Sequence, residues 1–169
     1  MELEILHALQ GWHANWLDTI MVWITNLGDA GLIWIAMGLV LAIIPKTRKC
    51  GVQMLISMAV TFVLGNLILK NIVARPRPFH VDSSVTLLIP EPSEYSFPSG
   101  HTMNSFTSAT MLFLHYRKPG IAAFILAALI AFSRMYLFVH YPTDILGGIV
   151  LGVVDALVVY LLAKRFKKA

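Results

Sequence analysis

Three short motifs in this chain concentrate residues that can bind an anion and attack it. They are KNIVARPRP at residues 70–78, PSGH at residues 98–101, and Ser133-Arg134 followed by His140 and Asp144. Arginine binds phosphate oxygens through paired hydrogen bonds, whereas lysine acts as a point charge. A histidine with a nearby carboxylate is one way to make a nucleophile. The combination indicates chemistry on a phosphate ester.

The first motif supplies three cations, Lys70, Arg75 and Arg77, in a segment that cannot continue a helix. Pro76 and Pro78 alternate with the arginines and favour extended backbone. The structural alternative is a lysine at a membrane edge that extends its amine toward water, followed by an interfacial stop signal. Two guanidinium groups beside a lysine favour phosphate binding over that alternative.

The PSGH motif has the pattern of a helix start. Ser99 is a typical N-cap residue, and Gly100 allows the backbone to come close to a ligand. The amino terminus of a helix offers free N–H groups and a partial positive charge, which together form an anion site. His101 would then lie in the first turn, where it can donate a proton to a leaving oxygen.

The third motif pairs His140 with Asp144 at a spacing of four, which places both on one side of a helix start. A carboxylate bound to one imidazole nitrogen fixes the tautomer and leaves the other nitrogen free to attack. The alternatives are a purely structural histidine–aspartate pair and a metal site. The neighbouring cations would repel a metal ion, and the usual zinc spacings are absent from the sequence.

The rest of the composition is that of a protein built for lipid. Of the 169 residues, 57% are hydrophobic and only 13% are charged, with a mean hydropathy of +0.73. Soluble domains are about one quarter charged. We therefore expect one integral membrane domain over residues 1–169. Ionisable groups at membrane depth are costly, so a cluster of them indicates a functional site.

The apolar segments predict an all-α fold, a bundle of six transmembrane helices preceded by an interfacial helix. A helix that crosses a bilayer needs about 20 apolar residues. The N-terminal segment 1–14 has apolar residues near helical spacing and is predicted to lie in the interface. The predicted spans are residues 16–27, 31–44, 51–69, 102–116, 120–138 and 144–163.

Charge bias predicts how this bundle is oriented. Nine of the thirteen lysines and arginines fall after the second, fourth and sixth predicted spans, and the other four belong to the three motifs. By the positive-inside rule, the nine mark the cytoplasmic face. We therefore expect a multi-pass protein of the cell membrane with both termini in the cytoplasm and an extracytoplasmic site. No basic stripe is left over for nucleic acid.

Taken together, the motifs resemble the type 2 phosphatidic acid phosphatase (PAP2) family, the membrane relatives of acid phosphatases and vanadium haloperoxidases. The family pattern is Lys-x6-Arg-Pro, then Pro-Ser-Gly-His, then Ser-Arg-x5-His-x3-Asp. Every defining position is present between Lys70 and Asp144. Arg75 is an additional cation in a slot that the pattern leaves open.

The resemblance implies a role for each residue. His140 would attack phosphorus and form a phosphohistidine, Asp144 would orient it, and His101 would protonate the leaving group and later activate water. Arg75 could contact a second phosphate or pair with lipid headgroups. No metal or other cofactor is implied. The residues implied to hold the phosphoryl oxygens are Lys70, Arg77, Ser99, Gly100 and Arg134.

The resemblance also implies a metal-independent lipid phosphatase, with undecaprenyl diphosphate as the preferred substrate. Phosphatidic acid or phosphatidylglycerophosphate, or transfer of the phosphoryl group to another lipid, would use the same motifs. A lipid-binding or transport protein would need the cations but not the histidines. Membrane lipids are the expected surroundings. The small residues Gly148 and Gly152 favour close helix packing, either within the bundle or across a homodimer.

Overall fold

The computed structural model describes residues 1–166, and all regular secondary structure in that part of the chain is helical. The predicted all-α fold is therefore confirmed there. Besides the α-helices, this part of the chain contains one 3₁₀ turn, Asp29–Gly31, and one π-helical segment, Phe62–Leu69. The helices are α1 Glu2–Gln10, α2 Asn15–Leu27, α3 Leu32–Ile43, α4 Arg48–Thr61, α5 Lys70–Val73, α6 Pro78–Val81, α7 Gly100–His115, α8 Arg117–Tyr136 and α9 Pro142–Phe166.

Helix α7 is the centre of the bundle and packs against both α8 and α9. It starts as predicted, because the Ser99 hydroxyl accepts a hydrogen bond from the backbone N–H of Thr102. Most of its inward residues are small or hydroxylated, which allows close packing. Trp34 of α3 donates a hydrogen bond from Nε1 to Ser105 Oγ at 3.0 Å.

The Gly148–Gly152 pair is used inside the bundle, at the contact between α9 and α7. A Cβ on Gly148 would lie 3.0 Å from the Ser99 carbonyl oxygen, and one on Gly152 would lie 2.5 Å from that of Met103. The contacts advance in the same direction along both helices, so α7 and α9 are parallel. Their amino termini consequently lie side by side.

Helices α3 and α4 cross at a second glycine contact. A Cβ on Gly51 would lie 2.5 Å from the Gly38 carbonyl oxygen and 2.2 Å from the Ala42 nitrogen. Both partners are backbone atoms, which cannot move without shifting a helix. The two helices can approach this closely only because Gly51 has no side chain.

Three stretches of the described chain are long and apolar enough to cross a membrane: Arg48–Val81, Arg117–Tyr136 and Pro142–Arg165. Helix α2 and the segment Asp29–Ile43 qualify together as a fourth, bent by 41°. The predicted number of six spans is not confirmed by this measure. Helix α7 has only 16 residues, and its polar side chains are covered by neighbouring helices.

The predicted N-terminal helix is present as α1. Its Leu6 and Leu9 are buried in a cluster with Tyr136, Phe138 and other apolar residues at the end of α8. Glu2, at its first turn, reaches the start of α9 and accepts hydrogen bonds from the backbone and side chain of Thr143. Helix α1 is thus attached to the end of the bundle that carries the three motifs.

Candidate active site

A cavity of about 370 Å³ opens at the end of the bundle where α7 and α9 begin, and it gathers residues from all three motifs. Six of the nine predicted site residues line it: Lys70, Arg77, Gly100, His101, Arg134 and His140. The other three, Arg75, Ser99 and Asp144, lie behind this lining.

Three cations that line the cavity are almost completely buried. Lys70, Arg77 and Arg134 are each no more than 4% exposed. Arg77 is held by the carbonyl oxygens of Glu94 and Val139, to which it donates at 2.6 and 2.9 Å. Burying three like charges together is costly unless an anion neutralises them. The cavity is therefore suited to a multiply charged anion.

Arg134 and Lys70 differ in how they are held. Arg134 donates from Nη1 to the hydroxyl of Thr25, while its Nε has no hydrogen-bond partner among residues 1–166. Lys70 forms an ion pair with the carboxylate of Glu94. A buried N–H without a partner is expensive, and an oxygen of a bound phosphoryl group would satisfy it.

His140 joins the cations to a carboxylate. Its Nε2 lies 3.2 Å from Arg77 Nη1, and its Nδ1 lies 3.4 Å from Asp144 Oδ2. Burial holds the pKa of His140 well below its usual value, Asp144 opposes this shift, and Arg77 and Arg134 add to it. The imidazole is therefore neutral near pH 7 and retains the lone pair that a nucleophile needs.

Asp144 is a fully buried anchor with hydrogen bonds to both of its oxygens. Oδ2 accepts from the hydroxyl of Ser96 at 2.5 Å and from the backbone N–H of Tyr141 at 2.8 Å. Oδ1 accepts from Arg75 Nη1 at 2.7 Å. The Asp144 carbonyl also accepts from the backbone N–H of Ser99 at 3.2 Å, which ties the start of α9 to the PSGH motif.

Arg75 lies outside the cavity lining, and its guanidinium is already engaged. Besides Asp144, it donates to Thr143 Oγ1 at 2.7 Å and to Glu2 Oε2 at 2.6 Å. The guanidinium carbon also lies 3.8 Å from the centroid of the Tyr141 ring. A contact between Arg75 and a second phosphate would require these bonds to break.

The PSGH motif contributes a wall of the cavity and one titratable side chain. Ser99 is buried behind the wall, where its hydroxyl caps α7. A Cβ on Gly100 would lie 3.2 Å from Asn66 Oδ1 and 3.9 Å from Lys70 Nζ, so glycine keeps this space open. His101 Nε2 lies 2.9 Å from Asp29 Oδ1.

Comparison with known proteins identifies the family of this chain. The sequence profile of the PAP2 superfamily matches residues 51–168, which contain all three motifs. The chain belongs to the PAP2 superfamily. The resemblance seen in the motifs is thereby confirmed, and the chain is a helical membrane protein of a phosphatase family.

Individual PAP2 relatives extend the similarity over most of the chain. Undecaprenyl-diphosphatase of Sulfolobus acidocaldarius is 37% identical over 137 residues, which cover 80% of this chain and 66% of that protein. Undecaprenyl-diphosphatase BcrC of Bacillus subtilis is 32% identical over 159 residues, covering 91% and 80%. A crystal structure of a transmembrane PAP2-type phosphatidylglycerolphosphate phosphatase from Bacillus subtilis superimposes with a TM-score of 0.79 at 31% identity, covering 97% and 85%.

The PAP2 motifs leave out several residues that complete the site. Asp29 and Asn66 contact or face PSGH residues, Glu94 pairs with Lys70, and Ser96 binds Asp144. A signal was available for Asn66, a polar residue within an apolar run, and it lies in the π-helical segment. Such segments are frequent at functional sites. Asp29 stands in a Gly-Asp-Ala-Gly break between two apolar segments.

Proposed function

We propose that this protein is an integral membrane lipid phosphatase that transfers a phosphoryl group first to His140 and then to water. The observation that carries the proposal is the position of His140. Its Nε2 faces the cavity beside Arg77, and its other nitrogen faces a fully buried carboxylate. A neutral imidazole in that setting is a nucleophile aimed at an anion.

In the first step, His140 Nε2 forms a bond to phosphorus while the bond from phosphorus to the leaving oxygen breaks. Lys70, Arg77 and Arg134 hold the phosphoryl oxygens and stabilise the charge of the transition state. The Gly100 backbone, at the amino terminus of α7, adds N–H groups to the same site. These cations supply the charge that a metal ion supplies in other enzymes, so no cofactor is proposed.

His101 transfers a proton in both steps. It donates a proton to the leaving oxygen as the phosphohistidine forms, and in the second step it takes a proton from water. The resulting hydroxide attacks phosphorus, the bond to His140 breaks, and inorganic phosphate is released. Asp144 holds the His140 ring through both steps and stabilises its positive charge.

For the substrate, we propose undecaprenyl diphosphate. Two relatives that carry that activity in their names are 32% and 37% identical to this chain. The three buried cations suit the high charge of a diphosphate. The similar crystal structure of a phosphatidylglycerolphosphate phosphatase supports a phosphatidylglycerophosphate substrate as the second candidate. Both use the same phosphoryl chemistry.

We further propose the six-span topology with an extracytoplasmic site and both termini in the cytoplasm. Nine of the thirteen lysines and arginines follow the second, fourth and sixth predicted spans, and none of these nine belongs to the three motifs. That distribution is what the positive-inside rule expects of a cytoplasmic face. A cavity on the other face would receive lipid phosphates from the outer leaflet.

The test is phosphate release by the detergent-purified protein in the presence of EDTA. Undecaprenyl diphosphate, phosphatidylglycerophosphate and phosphatidic acid are compared, with His140→Ala alongside. We expect release that is fastest with the diphosphate and absent in the variant. Radiolabelled diphosphate should leave an acid-labile label on the wild-type protein. Tight lipid binding without release or labelling would contradict the proposal and favour a lipid-binding or transport role.

A further inference from the structure

His101 has a carboxylate partner that none of the three motifs contains. Asp29, in the turn between α2 and α3, places Oδ1 2.9 Å from His101 Nε2. The two residues are 72 positions apart in the sequence. The site therefore contains two histidine–aspartate pairs, His140 with Asp144 and His101 with Asp29.

The turn that carries Asp29 is shaped around the His101 ring. A Cβ on Gly28 would lie 2.8 Å from His101 Cδ2, so only glycine fits against the imidazole. The two residues after Asp29 both have left-handed backbone, Ala30 with φ 50° and Gly31 with φ 69°. Left-handed alanine is strained, and such strain persists where the surroundings require it.

Because positive charges surround His101, its protonated form needs a carboxylate partner. The ring is largely buried, and the cations of Arg134 and Lys70 face it from α8 and α5. Both features disfavour the protonated imidazole, which is the form that donates a proton. Asp29 is the carboxylate that favours it.

We propose that Asp29 is the positioning residue of the proton donor. It accepts the hydrogen bond of His101 Nε2–H, fixes the ring orientation, and stabilises the imidazolium. The other nitrogen, Nδ1, then passes its proton to the leaving oxygen as the bond from that oxygen to phosphorus breaks and the His140–phosphorus bond forms. This inference rests on the phosphohistidine mechanism proposed above.

The proposal predicts a dependence on the leaving group. A phosphate monoester expels an alkoxide, a strong base that must be protonated as it leaves. A diphosphate expels a phosphate monoester, which is stable as an anion and needs less help. General acid catalysis contributes most where the leaving group is most basic. Loss of Asp29 should therefore affect monophosphates far more than diphosphates.

The experiment compares farnesyl phosphate with farnesyl diphosphate, two probes that share a tail and differ in leaving group. Asp29→Asn should lower kcat on the monophosphate by about 10- to 100-fold and on the diphosphate by less than about threefold, with KM little changed. Asp29→Glu, which keeps the carboxylate, should restore much of the loss. Gly28→Ala, which pushes on the ring without removing a charge, should show the same selectivity as Asp29→Asn.

A matched control comes from a histidine–aspartate pair outside the cavity. His7 Nε2 lies 2.8 Å from Asp82 Oδ2, close to the geometry of the His101–Asp29 pair. Asp82→Asn should leave both substrates unaffected. Equal losses on the two substrates in Asp29→Asn, or full activity on both, would overturn the positioning role. If the wild-type protein neither releases phosphate nor becomes labelled, the phosphatase proposal itself fails, and this inference fails with it.

Discussion

Arg75 donates a hydrogen bond of 2.7 Å to Asp144 Oδ1, the carboxylate oxygen opposite the one that faces His140. Glu2 and Thr143 hold the same guanidinium, so the bond is part of a fixed network. Arg75 can therefore act on the proposed nucleophile, His140, through Asp144. One cation of the first motif thus binds the carboxylate beside His140 and not the cavity.

Substitution of Arg75 should accordingly slow both classes of substrate to the same extent. Hydrogen bonds to charged groups are worth about 1.5–3 kcal/mol, so Arg75→Ala should lower kcat by about 10- to 100-fold. Turnover of a lipid monophosphate and of the matching diphosphate is the measurement. Arg117→Ala, at the opposite end of the bundle, is the control. A clearly greater loss with the diphosphate would instead support a contact between Arg75 and the second phosphate.

The pH dependence of phosphohistidine formation should reflect the buried state of His140. Burial, with Arg77 and Arg134, holds its pKa well below the usual value of 6.5. Attack requires the neutral ring, and a lowered pKa keeps the ring neutral as pH falls. Single-turnover labelling should therefore persist below pH 6.5, once the ionisation of the substrate, followed by phosphorus NMR, is allowed for. Labelling that declines with a midpoint near 6.5 would contradict this expectation.

Because Glu94 pairs with Lys70, we expect it to compete with substrate for that lysine, and its removal should tighten phosphate binding. The carboxylate is paired with the lysine and lines the cavity. A partly exposed ion pair is worth up to about 1 kcal/mol, so Glu94→Gln should improve inhibition by inorganic phosphate by up to about fivefold. Glu91→Gln, on the same loop but outside the cavity lining, is the matched control. Weaker inhibition in Glu94→Gln would indicate that Glu94 organises the cations rather than competing for them.

The close contact between α3 and α4 predicts that a single added methyl group lowers the stability of the fold. Gly51→Ala would force a Cβ against backbone atoms of α3, and overpacking of this kind costs about 1–3 kcal/mol or more. The melting temperature in detergent should fall. In Gly11→Ala the closest atom to the new Cβ is the Ala8 carbonyl oxygen at 3.3 Å, so melting should change little. Equal melting temperatures for the two variants would show that α3 and α4 can move apart without loss of stability.

The parts of this molecule that sequence could predict are those encoded locally. The Ser99 cap fixes the start of α7, and motif spacing with helical periodicity indicates that His140 and Asp144 belong together. The number of membrane spans was harder to predict from the sequence. Helix α7 is short and rich in hydroxyl groups that other helices cover, so hydropathy alone does not separate a span from a buried core helix.

The remaining site residues depend on contacts between distant parts of the chain. Asp29 meets His101 only because α2 and α3 bend at the Gly-Asp-Ala-Gly break, and Glu2 meets Arg75 only because α1 folds back onto the start of α9. Spacing along the chain carries no signal for either contact. The orientation of the Arg75 side chain could not be predicted either. The prolines around it indicate extended backbone, but they do not indicate which neighbour the side chain contacts.

The parallel contact between α7 and α9 has a consequence for how such an enzyme can evolve. One face of α9 carries Asp144, Gly148 and Gly152, which are constrained by the proposed chemistry and by contact with α7. The opposite face exposes Leu146, Val150 and Val154 at the same four-residue interval. Substitutions on that outer face can alter which hydrocarbon chains contact the helix, while the side chains of the site keep their positions. Preference for a lipid tail and competence for phosphoryl transfer can therefore diversify independently on a single helix.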